Sequence, residues 1–333
     1  MLTTLVSARL SRGNETKMSD IKPKFVDAHH HLWQPHVLEY GWLRQIGEPK
    51  PFGDPTPIQR DYVKDEFWAE AAAEGAIASV HVQADGGLPD PVSESSWIVE
   101  QTGKEPGLGV PNAWVGFANL RSKDAEATLA AHAALPGFRG IRQIVARTDA
   151  APDMSFVPME LMQETTWQAN FALLAKYGAS FDLQLYPDQA DDAVALFSRH
   201  EDIPIIIDHC GGPYFLFDAA KRDAVPAAEP ELSHWADGIW KLSKLPHASI
   251  KLSGLGMYHP QWSAQNCRVV FQTILDAFGP SRVMVGSNFP VDKLFKSYAD
   301  IVSIWNEWLG PLSEGEQSEI RAGAASRAYR LDL

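Results

Sequence analysis

Eight short runs rich in β-branched, aromatic and small apolar residues recur along the chain, and longer amphipathic stretches separate most of them. The expected strands are Phe25–His31, Ile77–Gln83, Ala113–Leu120, Phe138–Val145, Ser180–Tyr186, Ile203–His209, Ala248–Leu255 and Arg282–Asn288. Runs such as IPIIID and RVMVG are continuously apolar at their centres, the pattern of strands buried on both faces in parallel sheets. The stretches Asp61–Glu74, Lys123–Leu135, Thr165–Tyr177, Asp188–His200, Leu232–Leu245, Ser263–Phe278 and Tyr298–Leu309 carry apolar residues at helical spacing. This alternation, without a long polar linker, predicts an α/β fold: a single (β/α)₈ TIM barrel rather than two domains. Three connections, Leu32–Pro57, Ala146–Glu164 and Gly211–Pro230, are too long for turns. Each follows a strand, so each is expected to cover the C-terminal mouth of the barrel, and their proline and aromatic content suits ordered lid loops.

Residues 1–17 hold Arg9, Arg12 and Lys17 against one acid, Glu15, and can be read as a transit-like presequence. Met18-Ser-Asp reads as a second start, so 1–17 is expected to be a disordered extension ahead of a barrel domain over 18–333. The net charge of −13 argues against nucleic acid as a partner, since phosphate binding needs clustered Lys and Arg. It leaves room for a small anionic or sugar-like substrate, which needs only one or two local arginines. No apolar run approaches the roughly 20 residues that span a bilayer, so no membrane partner is expected. Two cysteines, Cys210 and Cys267, cannot build a disulfide framework, which points to a reducing, cytoplasmic compartment. A homo-oligomer is compatible with the sequence, which does not fix the oligomeric state.

The sharpest local feature is Val26-Asp27-Ala28-His29-His30-His31-Leu32-Trp33. Alternation along a strand puts His29 and His31 on one face and His30 on the other. Two imidazoles on an inward face can hold a divalent metal or polarise a substrate. His209 closes an apolar strand just before Cys210-Gly211-Gly212-Pro213, where a barrel places catalytic groups. Asp208 is then expected to face the helical layer in a structural role, and Cys210 to be a buried thiol. Lys251, enclosed by apolar neighbours, snorkels, pairs with an acid or works in the site. Arg142 suits a substrate carboxylate, while Arg139 suits a structural ion pair. Gln83, Gln184 and Tyr186 lie near strand ends and are expected to line the pocket. His81 is either inward-facing or core; His36, His132, His200, His234 and His247 are expected on the surface.

The last strand reads Arg282-Val283-Met284-Val285-Gly286-Ser287-Asn288-Phe289-Pro290. Together with His29-x-His31, the strand-ending His209 and Lys251-x-Ser253, it resembles the amidohydrolase superfamily. The closer likeness is to the amidohydrolase-2 branch of TIM-barrel hydrolases, which includes sugar lactonases and 2-pyrone-4,6-dicarboxylate lactonase. The resemblance runs from about Phe25 to the C-terminus. It matches His29 and His31 to the first-strand pair, His209 to the sixth-strand histidine, Arg142 to a fourth-strand arginine and Asn288 to the eighth-strand site. The departure is at Asn288, where such enzymes carry an aspartate as metal ligand and water-activating base. An amide takes up no proton at neutral pH and is a poor ligand beside a carboxylate. Asp292, four residues on, either reaches the mouth in its place or caps the final helix.

The resemblance implies hydrolysis of a small lactone, carboxylated or sugar-derived, with Arg142 as anchor, His29 and His31 polarising the carbonyl, and a base near His209. The first expectation is that no cofactor is required. The alternative is one divalent, zinc-like metal on His29, His31 and His209. Two rival functions are a metal-dependent decarboxylase of an aromatic or muconate-like acid and a degenerate barrel that only binds ligand.

Overall fold

A computed structural model describes residues 22–84, 86–102, 110–150, 152–220 and 230–333; the expected extension over 1–17 lies outside them. The strands are β1 Phe25–His30, β2 Ala76–Val82, β3 Ala113–Gly116, β4 Phe138–Arg142, β5 Ser180–Leu183, β6 Ile205–Ile207, β7 Ala248–Leu252 and β8 Val283–Val285. They pair in parallel in chain order. The ring closes just past β8, where His31 N–H donates to the Phe289 carbonyl at 2.6 Å and Asn288 N–H to the His29 carbonyl at 2.7 Å. Each strand ends earlier than its apolar run, because the last residues leave the ladder to build the mouth.

The helices are α1 Gly41–Arg44, α2 Lys64–Ala73, α3 Ser93–Thr102, α4 Ala125–Ala133, α5 Thr165–Phe171, α6 Ala190–Phe197, α7 Phe215–Ala220, α8 Pro230–Leu242, α9 Arg268–Phe278, α10 Tyr298–Leu309, α11 Glu314–Ser318 and α12 Ala324–Tyr329. The sequence pattern missed α3, since two of its four buried residues, Glu94 and Ser95, are polar and blur the apolar stripe. It also missed α11 and α12, which are short and joined through a π-helical turn over Glu319–Gly323.

Two apolar layers hold the barrel. Phe25, Trp114, Ile141, Phe181, Ile205, Ile207 and Ile250 point outward to the helices. Val26, Ala28, Val80, Val115, Ile206 and Met284 fill the interior, with Ala324, Ala325 and Tyr329 of α12 packed against them. In β1 the register slips between Asp27, opposite Ser79, and His30, opposite His81, so one extra residue is accommodated. This bulge lets both Ala28 and His29 face inward and turns His30 out, the re-aiming that bulges commonly supply beside active sites. Gly286 makes room for it: a Cβ there would lie 2.8 Å from that of His29.

The outward histidines are structural. His30 stacks on Phe67 of α2 at 3.7 Å, with its Nε2 3.1 Å from Ser79 Oγ. His81 Nδ1 accepts the Leu32 N–H at 3.1 Å, and its Nε2 lies 3.1 Å from Glu94 Oε1. A ring that accepts a backbone N–H must be neutral, and burial, followed by Arg142 nearby, pushes His81 down to about 3. His132, expected on the surface, is buried with its Nε2 2.8 Å from the Phe117 carbonyl.

Unfolding releases His81 to its ordinary pKa near 6.5, so between that value and about 3 the unfolded chain binds the extra proton. Stability therefore falls as pH drops through this window, by up to about 1.4 kcal/mol per pH unit for one proton. Urea unfolding at pH 7 and pH 4.5 should show a smaller acid loss in His81→Gln than in the wild type. An equal loss in both would mean that His81 is already protonated in the folded chain.

Candidate active site

At mid-height the barrel interior changes from apolar to charged. Lys251 of β7 is fully buried, with Nζ 2.5 Å from Asp182 Oδ2, 2.9 Å from Asp208 Oδ1 and 3.1 Å from His29 Nδ1. Tyr329 of α12 donates its hydroxyl to Asp182 Oδ2 at 2.7 Å from the opposite side. Asp208 also lies 3.2 Å from His29 Nδ1 and 3.6 Å from an Arg142 nitrogen. Asp208 thus points into the barrel and not toward the helices as expected. Ile206 already faces inward, and alternation carries Asp208 with it. Burial alone would raise the Asp208 pKa, but Lys251 and His29 outweigh it and hold the carboxylate well below its usual range. Asp182 goes the other way, pushed up to about 6 by burial and the Asp208 charge against the pull of Lys251.

Above this layer, side chains reach the mouth through strained backbone. His209 and Cys210 have φ of 50° and 56°, and Asn288 has 56°, all in the left-handed region that non-glycine residues seldom adopt. The turn at 209–211 brings His209 inward beside Asp208, so two consecutive residues both face the site. The His209 ring sits 4.5 Å from that of His29, and its Nδ1 lies 3.1 Å from Ser253 Oγ. Gly254, at φ 67°, permits this contact, since a Cβ there would come within 2.4 Å of His209 Nδ1. His31 Nδ1 lies 2.7 Å from the Val82 carbonyl, and its Nε2 3.3 Å from the Asn288 amide. Burial is the main cause that lowers all three imidazoles: His29 goes well below its ordinary value, and His31 and His209 fall to about 3. Burial also raises the Cys210 thiol, as expected of an inert cysteine. Asp292 is buried in a turn before α10 with Oδ1 3.5 Å from the Asn288 amide, and it does not cap that helix; Ser297 does.

A cavity of about 430 Å³ opens over this floor. His31, Gln83, Arg142, Gln184, His209 and Asn288 form its polar base at the strand ends. Trp33, Trp42, Phe52, Phe156 and Met257 from the connecting loops form its apolar walls. The first two long connections therefore cover the mouth as expected. Of the third, Phe217 lies 5.6 Å from Tyr258 and borders a small space shared with Phe52, Phe156 and Met257 of the mouth; the later part lies outside the described residues. Arg142 donates to the Gln83 carbonyl at 2.6 Å and approaches Gln184 Oε1 at 3.5 Å. Two expected pocket residues are displaced. Lys251 lies beneath the floor in its ion pairs, and Tyr186 donates to the Met154 carbonyl at 2.9 Å, tying down the second lid loop. His29 also sits under the floor, not on it. Lys50 and Phe52 were not singled out in the sequence, because loop residues carry no period that shows where they fold.

The donor set fits a divalent cation. His29, Asp208 and His209 each offer a ligand atom, all within 4.8 Å of one another. His29 Nε2 and both Asp208 oxygens are buried with no aligned hydrogen bond among the described residues, although Asp208 is in charge contact with its neighbours. One imidazole pair and one carboxylate are ordinary zinc ligands. The group replaces the expected His31 by Asp208, since His31 is engaged by Val82 and Asn288.

A parallel eight-stranded barrel with histidine, carboxylate and arginine side chains gathered at the strand ends has the architecture of a barrel enzyme. A family model described as amidohydrolase matches residues 26–331, and the chain belongs to that family of hydrolases. An uncharacterised protein of Sinorhizobium fredii, y4mH, is 32% identical over 319 residues, covering 94% of this chain and 100% of its own. A Burkholderia multivorans protein named L-fucono-1,5-lactonase is 29% identical over 317 residues, covering 92% of this chain and 96% of its own. A crystal structure of a B. multivorans amidohydrolase with bound HEPES superposes at a TM-score of 0.74 with 27% identity, covering 93% of this chain and 100% of that one. A second crystal form, at 0.73, holds zinc. The expectation that no cofactor is required finds no support in these likenesses. Among the described residues no helix is long and apolar enough to cross a membrane.

The charged layer sets a stability test. Asp208→Asn leaves Lys251 and Arg142 buried with one carboxylate fewer, which should cost about 3–5 kcal/mol in urea unfolding. Removing Lys251 as well, in Asp208→Asn/Lys251→Met, should recover part of that loss. Additive losses would show that the two side chains are not coupled.

Proposed function

We propose that this chain hydrolyses a small lactone, carboxylated or sugar-derived, at the mouth of its barrel. The observation that carries the reading is the floor of the cavity, where Arg142, His31, His209 and Asn288 converge above the His29–Asp208–His209 group. The L-fucono-1,5-lactonase name of relatives at 29% and 25% identity supports the same class.

In this reading a carboxylate or hydroxyl of the ring accepts from Arg142, whose buried Nε has no partner among the described residues, and a ring hydroxyl donates to Gln83 Oε1, which is likewise unpaired. The ester carbonyl lies over His209 and Asn288, with an amide N–H of Asn288 toward its oxygen. The aromatic walls exclude bulk water and strengthen these polar contacts. His29, Asp208 and His209 would hold a divalent cation, which when bound polarises the ester carbonyl and acidifies water. Without one, the neutral His209, anchored through Nδ1 on Ser253, keeps Nε2 for the cavity and is placed to take a proton from attacking water. A lactone suits so lightly armed a site because a ring ester is more electrophilic than an amide.

Proton release from L-fucono-1,5-lactone and from a carboxylated lactone, followed with a pH indicator, tests the reaction; silence across both would sink it. Arg142→Ala should raise KM for the carboxylated substrate about 10–100-fold with a smaller effect on kcat. Zinc dialysis should load about one ion per chain, with affinity about 10–100-fold weaker in His29→Ala and Asp208→Asn and stronger in Asn288→Asp. Unchanged zinc uptake in His29→Ala and Asp208→Asn would move the metal elsewhere.

A further inference from the structure

The floor and the walls of the mouth differ in what their side chains still have free. On the floor, Arg142 Nε and Gln83 Oε1 are buried without a partner among the described residues. On the walls the polar atoms are already engaged. Trp42 donates its indole N–H to the Ala84 carbonyl at 3.0 Å, and Trp33 donates its own to the Arg60 carbonyl at 2.9 Å. The Ser155 hydroxyl donates to the Thr148 carbonyl at 3.1 Å and accepts the Thr148 N–H at 3.0 Å. The Lys50 ammonium donates to Gln45 Oε1 at 2.6 Å. A ligand group that reaches the walls therefore meets mostly carbon.

The same bonds hold the walls in place. With its N–H fixed, Trp42 packs edge-on against Trp33 at 5.4 Å and against Phe52 at 6.2 Å. A ligand does not have to order a wall that protein contacts already hold, so little of the binding energy is lost there. Size points the same way. The cavity of about 430 Å³ has room for about 14 waters at their share of the liquid, more than a bare lactone ring displaces. A polyhydroxylated ring carries hydroxyls round its whole edge, and those turned to the walls would exchange water for carbon, which weakens binding. An apolar side chain gains there instead, by about fourfold in affinity for each methylene buried.

We propose that the substrate is an amphipathic lactone: its ring sets a carboxylate or hydroxyl on Arg142 and Gln83, and it carries an alkyl or aryl side chain that lies between Trp42, Phe52, Phe156 and Met257. These four are the specificity-determining residues of the site. The walls stand apart from the reacting ester and bind the side chain equally in the ground and transition states. The side chain thus lowers KM and leaves kcat nearly unchanged. This rests on the lactonase reading for the ring and its reaction, but not for the apolar side chain.

Ring-opened hydroxy acids keep the carboxylate and the side chain and need no turnover, so binding separates the two claims. By calorimetry, 5-hydroxydecanoate should bind about 10–100-fold more tightly than 5-hydroxyhexanoate, and more tightly than L-fuconate. Phe52→Ala and Phe156→Ala should each reduce that preference about 3–10-fold, whereas Arg142→Ala should weaken both chain lengths alike. In turnover, δ-decalactone should show a lower KM than δ-hexalactone at similar kcat. The proposal is overturned by equal affinity for the two chain lengths, by a preference that neither wall variant reduces, or by L-fuconate binding more tightly than the long acid. Binding of the long acid that Arg142→Ala leaves intact would place it outside this cavity and overturn the proposal as well. If the preference is present but no lactone turns over, the apolar cleft stands and the lactonase reading falls.

Discussion

A single buried ammonium organises this barrel. Lys251 has no access to water, so its charge survives only because Asp182 and Asp208 lie at 2.5 and 2.9 Å. The carboxylates in turn need it, together with Arg142 and the Tyr329 hydroxyl, since an unpaired charge at this depth costs several kcal/mol. The four charged side chains come from β4, β5, the residue just after β6, and β7, and Tyr329 from the last helix, so the cluster ties half of the barrel to its C-terminus. His29 of β1 completes the ring by touching both Lys251 and Asp208. Charge pairing at this level sets where the ligand atoms above it stand.

That layer also explains the chemical character of the mouth. The Lys251 ammonium beneath the imidazoles and the Arg142 guanidinium beside them add to burial in keeping them neutral. Neutral imidazoles are lone-pair donors, suited to a cation or to a proton in transit, and poor as fixed positive charges. Lys251 already occupies one side of the His29–Asp208 pair, leaving His29 Nε2 and the side toward His209 for an ion. Arg142 presents its positive charge at the cavity floor, which suits an anionic or hydroxylated ligand in a chain that is acidic overall.

The strained residues lie where strand geometry ends and chemistry begins. His209, Cys210 and Asn288 hold left-handed backbone at the ends of β6 and β8, and Gly254 and Gly286 withdraw their side chains to admit the neighbouring rings. Such conformations persist only when the surroundings over-determine them. Here the buried charges and the closed ladder between β1 and Phe289 do so.

Period and composition alone were enough to read eight strands, most of the helices, a single barrel and lids over its mouth, and to put forward His29, His31, Arg142 and His209 as candidates; Asn288 came in only with the resemblance to the amidohydrolases. Strand periodicity is a local property, and a short apolar run ending in a polar residue shows where a parallel strand meets its mouth. What local pattern could not settle was which way several of those residues face. The bulge in β1 and the left-handed turn after β6 break the two-residue alternation, so Asp208 and His209 both turn inward and Ala28 and His29 share a face. Lys251 stood between three readings until tertiary structure supplied two carboxylates from strands 43 and 69 residues away in the chain. The partners of Asp292, Tyr186 and Tyr329 were equally illegible. A hydrogen bond or ion pair between distant segments leaves no period in either one, and only the closed barrel decides which of them meet.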